Sequence, residues 1–247
     1  MTPFLEVREM RKQYGAIKAV DGVSMKVGPG EIVGVIGPNG SGKTTLFNSI
    51  LGQIQPTSGH VEFCGENITA MSPLELSRRG VGRTFQTLQV FVKLSVRDNL
   101  IAAAQEFKGT LGGRLFAQND AGLGDHADQM IEMFRLKHVA KLPAGSLSYG
   151  QQKLIDIAMA FMAAPRLVLL DEPCAGVNPS LVDQLRELLV ELNKTQGGSF
   201  VVIEHNMDFI MRLCPHVICM VEGKVMAEGP PAEVQANRQV LEAYLGN

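Results

Sequence analysis

Ile32-Val33-Gly34-Val35-Ile36, then Gly37-Pro38-Asn39-Gly40-Ser41-Gly42-Lys43-Thr44-Thr45, then Leu46-Phe47-Asn48-Ser49-Ile50-Leu51 is the stretch whose reading decides the fold. The apolar run is too short for a buried helix, and it leads through a glycine-rich loop into an apolar-periodic segment. The order is therefore buried strand, phosphate loop, helix. Gly37, Gly40 and Gly42 let the backbone curl until successive N–H groups point inward. Such a nest, with the positive end of the following helix, suits a polyphosphate. Lys43 adds a point charge for the β and γ phosphates, and Thr44 places a hydroxyl where a phosphate-bound Mg²⁺ would sit. A glycine-rich turn that binds nothing is the plainer alternative, and the strand before and helix after weigh against it.

The 247 residues, 45% of them hydrophobic, are ample for a packed core and exclude a disordered chain. A net charge of −2 leaves no basic footprint, which argues against nucleic acid as the main partner. Cys64, Cys174, Cys214 and Cys219 form no CxxC pair, and a chain this long needs no disulfide staples, so a reducing cytosol fits. Met1 to Glu6 lacks the basic-then-apolar pattern of a signal peptide. The most apolar region, Ile155 to Leu170, is broken by Asp156, Pro165 and Arg166, so the chain is expected not to cross a membrane itself.

Upstream of the loop, residues 4 to 31 alternate apolar and polar, as at Leu5, Val7, Val23, Met25 and Val27, with Gly28-Pro29-Gly30 as a turn. This is the pattern of half-buried antiparallel strands. Between them Tyr14 stands beside Gly15; most such tyrosines simply pack. Downstream, Gly52 to Gly59 is turn-rich, His60 to Cys64 reads as a strand, and Ser72-Pro73-Leu74-Glu75 opens a helix with a capping box. Val81 to Gln86 follows as a strand ending on a lone glutamine. From about 88 to 164 the period is helical, as at Val96 to Ala104 and Ala127 to Phe134. A stretch with five glycines, 105 to 125, joins those segments as a mobile excursion of a helical subdomain.

Ser148 caps a helix expected to run through Ala164, with Gln151 at the capping-box position. A capping serine usually only caps. Gly150, however, permits close approach, and the helix start is a second anion-binding terminus. Leu167 to Leu170 is a buried strand that delivers Asp171 and Glu172 to its C-terminal edge, where open α/β sheets place their chemistry. Two tandem acids there suit a Mg²⁺ partner and a base. Asn178-Pro179 starts a helix with apolar positions 181, 185, 188, 189 and 192. Phe200 to Ile203 is another buried strand, and it brings Glu204-His205 to the same edge. That place sets His205 apart from the ordinary structural histidine. Val217 to Val221 and Lys224 to Ala227 form a hairpin about Glu222-Gly223.

In this order, Tyr14, the loop 37 to 45, Gln86, Leu147-Ser148-Tyr149-Gly150-Gln151, Leu167 to Glu172 and His205 resemble the nucleotide-binding subunit of ATP-binding cassette (ABC) transporters over essentially the whole chain. The resemblance implies an α/β fold: a P-loop NTPase with a RecA-like core, an N-terminal antiparallel β subdomain and an inserted helical subdomain at about 88 to 164, all in one domain over 1 to 247. It implies ATP and Mg²⁺ as ligands. Tyr14 then stacks on adenine, and Gly37, Pro38, Asn39, Gly40, Ser41, Gly42, Lys43, Thr44 and Thr45 hold the phosphates. Gln86 reaches Mg²⁺ and links the helical subdomain to a membrane part, Asp171 holds Mg²⁺ through water beside Thr44, Glu172 is the general base, and His205 touches the γ-phosphate. Ser148 and Gly150, with Gln151 beside them, meet ATP held on a second subunit in a head-to-tail dimer.

Two positions depart from the commonest family pattern: Tyr149 stands where glycine is usual, and Asn178 where aspartate is common. Ala175 to Pro179, Ile203 to Asn206, the excursion at 105 to 125 and the ending Val240 to Gly246 look like importers of branched-chain amino acids and of urea. The implied partners are two transmembrane permease subunits, a second nucleotide-binding subunit and, indirectly, a periplasmic or extracellular solute-binding protein, with the chain at the cytoplasmic face of the membrane. Leu88, Val90 and Phe91 are then expected to face the permease. Asn193-Lys194-Thr195-Gln196 lacks the acid of a guanine-reading motif, which favours adenine. One cassette without a long inserted arm is unlike the soluble ABC proteins of ribosomes and DNA.

Overall fold

A computed structural model describes residues 3–84, 87–104 and 121–245. β1 (Leu5–Tyr14) and β2 (Ile17–Val27) form a hairpin, and β3 (Ile32–Ile36) leads through the loop into α1 (Lys43–Ile50). β4 (Ser58–Phe63) and β5 (Glu66–Asn67) return to the hairpin, followed by α2 (Pro73–Arg78) and β6 (Val81–Arg83). Helices α3 (Val96–Ala104), α4 (Ala121–Met133) and α5 (Tyr149–Phe161) precede β7 (Leu167–Asp171). Then come α6 (Pro179–Gln196), β8 (Ser199–Ile203), α7 (Met207–Leu213), β9 (His216–Val221), β10 (Lys224–Gly229), α8 (Pro231–Ala236) and α9 (Arg238–Leu245).

The strands assemble into an antiparallel sheet of order β2-β1-β4-β5 and a second sheet of order β10-β9-β3-β8-β7-β6. In the second sheet only β10 runs antiparallel to its neighbour. β3, β7 and β8 are buried at every residue. This is what a parallel sheet covered on both faces requires. Alternate residues feed two cores. Val33, Val35, Leu169, Val201 and Ile203 pack with Leu46, Phe47 and Ile50 of α1 and with Leu5, Val7 and Val61 of the antiparallel sheet. Ile32, Ile36, Val168, Leu170, Phe200 and Val202 pack instead with Ile155, Leu189 and Phe209 of α5, α6 and α7.

The caps read from the sequence are in place. Ser72 and Glu75 form a capping box, as do Ser148 and Gln151, and the Asn178 side chain accepts the Leu181 N–H at 3.0 Å. Several boundaries differ, three of them by three residues or more. The strand from Val81 ends at Arg83, although the Thr84 N–H still bonds the Leu169 carbonyl; Phe85 and Gln86 lie outside the described residues. α5 stops at Phe161 rather than Ala164, because Pro165 disfavours helical backbone in the residue before it, and Ala164 takes φ 46°. α4 begins at Ala121, so part of the expected excursion is helical, while 105–120 lie outside the described residues. Arg97 of α3 holds Asp128 of α4 at 2.8 Å.

Leu189 is fully buried where α6 meets the sheet. Leu189→Ala is expected to lower stability by about 2–5 kcal/mol. The denaturant midpoint measures this, and an unchanged midpoint would remove the α6 seam from the core.

Candidate functional site

β3, β8 and β7 are sheet neighbours that end level: Val35 pairs with Ile203, and Ile203 with Asp171. Their C-terminal ends deliver the glycine-rich loop, Glu204-His205 and Asp171-Glu172 side by side, the edge at which such sheets bind ligands.

In the loop, Lys43 is 5% exposed, and its ammonium donates to the Gly37 carbonyl at 2.8 Å, the Pro38 carbonyl at 3.0 Å and Ser41 Oγ at 3.3 Å. Burial lowers its pKa, against the opposing pull of Glu172, Cys219 and Asp171. These partners are loop atoms, so phosphate oxygens could take their place without loss of hydrogen bonding. Gly37 and Gly42 have φ 147° and 97°, and a Cβ on either would collide with the backbone carbonyl of Met220 or Ala19. Ser41 is buried, Pro38 and Thr45 are half-buried, and Asn39, Gly40 and Thr44 are exposed along the open side. Gly223 braces the loop: its N–H bonds the Ser41 carbonyl at 3.0 Å, and its carbonyl accepts the Asp21 N–H at 2.8 Å. The sequence marked Gly223 only as a hairpin turn.

Asp171 is 2% exposed. Burial pushes its carboxyl pKa up, and Glu172 adds to this, while Arg83, Lys153 and Lys43 pull it down. Thr84 Oγ1 accepts the Asp171 N–H at 3.2 Å, which fixes the strand end. The Thr44 hydroxyl and Asp171 carboxylate are hard oxygen donors. Among the described residues no group of three or more His, Cys, Asp and Glu could hold a metal alone. Two protein oxygens completed by phosphates and water are what Mg²⁺ accepts. Gln86, expected beside them, lies outside the described residues.

Glu172 takes φ 48°, a left-handed conformation uncommon outside glycine, and its N–H bonds the Ile203 carbonyl at 2.9 Å. Its Oε1 lies 2.7 Å from Nε2 of His205, so these two residues meet directly. Glu204, unassigned from the sequence, holds them in place. Buried to 3% exposure, it accepts the Cys174 N–H at 2.6 Å through Oε1, and through Oε2 the N–H groups of His205 at 2.8 Å and Asn206 at 3.1 Å. It therefore ties the segment after β7 to the segment after β8. An acid directly behind a buried strand was the available signal.

Tyr14 belongs to neither core and is 47% exposed at the hairpin end, with the Lys12 ammonium 5.0 Å from its ring centre. Its ring is thus accessible rather than packed, and Ala19 on the paired strand touches the loop at Gly42. Ser148 is exposed and Gln151 half-buried. Their side chains bond at 3.1 Å, and among the described residues no hydrogen bond joins them to the loop 37–45. The start of α5 meets instead the segment beyond Glu172: Leu181 packs onto Gly150, and a Cβ at Gly176 would stand 2.8 Å from the Tyr149 ring.

The chain matches the ABC transporter family model over residues 20–175, and over residues 224–247 the model described as branched-chain amino acid ATP-binding cassette transporter. It is 36% identical to the high-affinity branched-chain amino acid transport ATP-binding protein BraF of Pseudomonas aeruginosa, over 99% of this chain and 98% of that one. It is 37% identical to the probable branched-chain amino acid transport ATP-binding protein LivG of Archaeoglobus fulgidus, over 98% and 95%. Among solved structures it is similar to a nucleotide-free ATP-binding cassette from an ABC transporter, with TM-score 0.88 and 34% identity over the whole of both chains. A cassette in its ADP conformation gives TM-score 0.89, again at 34% identity over both whole chains.

Glu204→Gln leaves one oxygen where the carboxylate had two, so part of the clamp on Cys174, His205 and Asn206 is lost. The expected cost is about 1–3 kcal/mol of stability. Thermal unfolding measures it, and an unshifted transition would show the clamp to be dispensable.

Proposed function

The chain belongs to the ABC transporter family, and from that premise we propose that it is the ATP-hydrolysing subunit of an importer carrying branched-chain amino acids. The observation that carries the ATPase reading is one sheet edge holding Lys43, Asp171, Glu172 and His205. The solute reading is supported by relatives named for branched-chain amino acid transport over nearly their full lengths and by the match at 224–247.

In this reading the whole chain is a single cassette, and the helices between β6 and β7 are its inserted helical subdomain. The loop Gly37 to Thr45 wraps the β and γ phosphates, Lys43 exchanges its loop carbonyls for phosphate oxygens, and Tyr14 stacks on adenine. Thr44 and Gln86, with Asp171 acting through water, would hold Mg²⁺, which would supply charge neutralisation at the phosphates. Glu172 takes a proton from the water that attacks the γ-phosphorus, giving ADP and phosphate, and His205 orients that carboxylate beside the γ-phosphate. Ser148, Gly150 and Gln151 meet the nucleotide of a second cassette, for which the exposed start of α5 is suited.

No described helix is long and apolar enough to cross a membrane. We infer peripheral attachment at the cytoplasmic face through two permease subunits, fed by a solute-binding protein outside. Of the residues expected at the docking surface, Phe91 is 52% exposed, whereas Leu88 is half-buried and Val90 packs against the core; the exposed apolar face continues instead through Val92 and Leu94, 53% and 39% exposed.

Purified chain with ATP and Mg²⁺ tests the chemistry. Lys43→Ala is expected to cut hydrolysis about 100-fold or more. Retained turnover would remove the assignment. Glu172→Gln should keep ATP affinity, stop hydrolysis and elute as a dimer in size-exclusion chromatography with ATP; normal turnover would place the base elsewhere. Tyr14→Ala should bind ATP roughly fivefold more weakly while Tyr14→Phe binds as wild type. Equal affinity in all three would make Tyr14 a bystander. Uptake of labelled leucine against labelled urea by the reconstituted complex decides the solute.

A further inference from the structure

Two buried polar side chains fasten the segment that the proposed function turns toward the permease. Asn99 of α3, fully buried, accepts the Phe91 N–H at 2.7 Å and donates to the carbonyls of Phe91, Leu94 and Ser95 at 3.1, 3.3 and 2.9 Å. These bonds make residues 91–95 one rigid piece with the start of α3. Asp156 of α5, 5% exposed, accepts the Gln89 N–H through Oδ1 at 3.0 Å. Among the described residues this is the side-chain hydrogen bond that joins α5 to residues 87–95.

Asp156 is in an expensive place. Its Oδ2 and the ammonium of Lys153, itself 1% exposed, have no hydrogen-bond partner among the described residues. The two stand three positions apart on one helix, so they share a face. Burial opposes ionisation of Asp156, while Lys153 and the Gln89 N–H favour it. Lys153 also faces Asp171 at the sheet edge, but the carboxyl of Asp156 has no such place there, and its burial at this cost calls for a task that an apolar residue could not perform.

We propose that Asp156 is a positioning residue that couples nucleotide to transport. It pins the backbone of Gln89 to the helix whose start carries Ser148 and Gly150. When that helix moves on meeting ATP, Gln89 moves with it, and through Val90 the shift reaches the piece that Asn99 fastens to α3. This rests on the functional reading above.

The test uses the complex captured through a tag on this chain and placed in lipid vesicles with labelled leucine, comparing wild type, Asp156→Ala and Asp156→Asn. Isolated Asp156→Ala chain should hydrolyse ATP as wild type does, while leucine moved per ATP falls about tenfold or more. Asp156→Asn should restore coupling, because its amide oxygen still accepts the Gln89 N–H. Wild-type coupling in the alanine variant, or an asparagine variant as defective as alanine, overturns the proposal. A wild-type complex that hydrolyses ATP and moves no leucine overturns the solute reading instead. Amide exchange over residues 88–92 of the isolated chain, with ATP and Mg²⁺ added, is the second measurement. It should respond in wild type and Asp156→Asn, and no response in wild type also overturns the proposal.

Discussion

Backbone pressed on backbone at the glycine-rich loop is the constraint on which the rest of the molecule depends. Gly37 lies against the Met220 carbonyl of β9 and Gly42 against the Ala19 carbonyl of β2. Those two neighbours belong to different sheets. The loop is therefore shaped by its surroundings before any ligand arrives, which lowers the ordering cost of binding. Gly223 completes the frame by bonding Ser41 on one side and Asp21 on the other. The antiparallel sheet that carries Tyr14 and the parallel sheet that carries Asp171 are registered to each other through this contact.

The charges at the sheet edge are held at a cost. Burial disfavours the ionised form of both Lys43 and Asp171. Each is partly compensated by the other, and the Lys43 ammonium also by loop carbonyls. A buried charge is tolerated where it is hydrogen-bonded and paired. A polyphosphate with its cation supplies both kinds of compensation, so binding relieves a tension already present. Glu204 differs, since three backbone N–H groups surround its carboxylate and its role is complete without a ligand.

The sequence made legible whatever is local. The strand-loop-helix at 32 to 51, the caps at Ser72, Ser148 and Asn178, and the hairpin about Gly223 rest on neighbours a few residues apart, and they stand where the periodicity puts them. Pairings between distant segments were hidden. Glu204 reads as one more acid after a strand until β7 and β8 are side by side, and Gly223 reads as a turn until it reaches Ser41. The early start of α4 is a case of tertiary override. Gly122 and Gly124 each cost a helix roughly 1 kcal/mol. Burial of Ala127, Met130 and Ile131, with the Arg97–Asp128 pair, outweighs that penalty.

The contact of Tyr149 with Gly176 has a consequence for which residues the second position accepts. The aromatic ring occupies the space that any side chain at 176 would need. Position 176 is thus held to glycine twice, by the ring of Tyr149 and by its left-handed φ of 71°, so a smaller residue at 149 would not by itself free it. Of the two departures, Tyr149 and Asn178, the first therefore sits against a turn that already requires glycine. That glycine lies four residues beyond Glu172, so the ring at the start of α5 bears directly on the turn that follows Glu172.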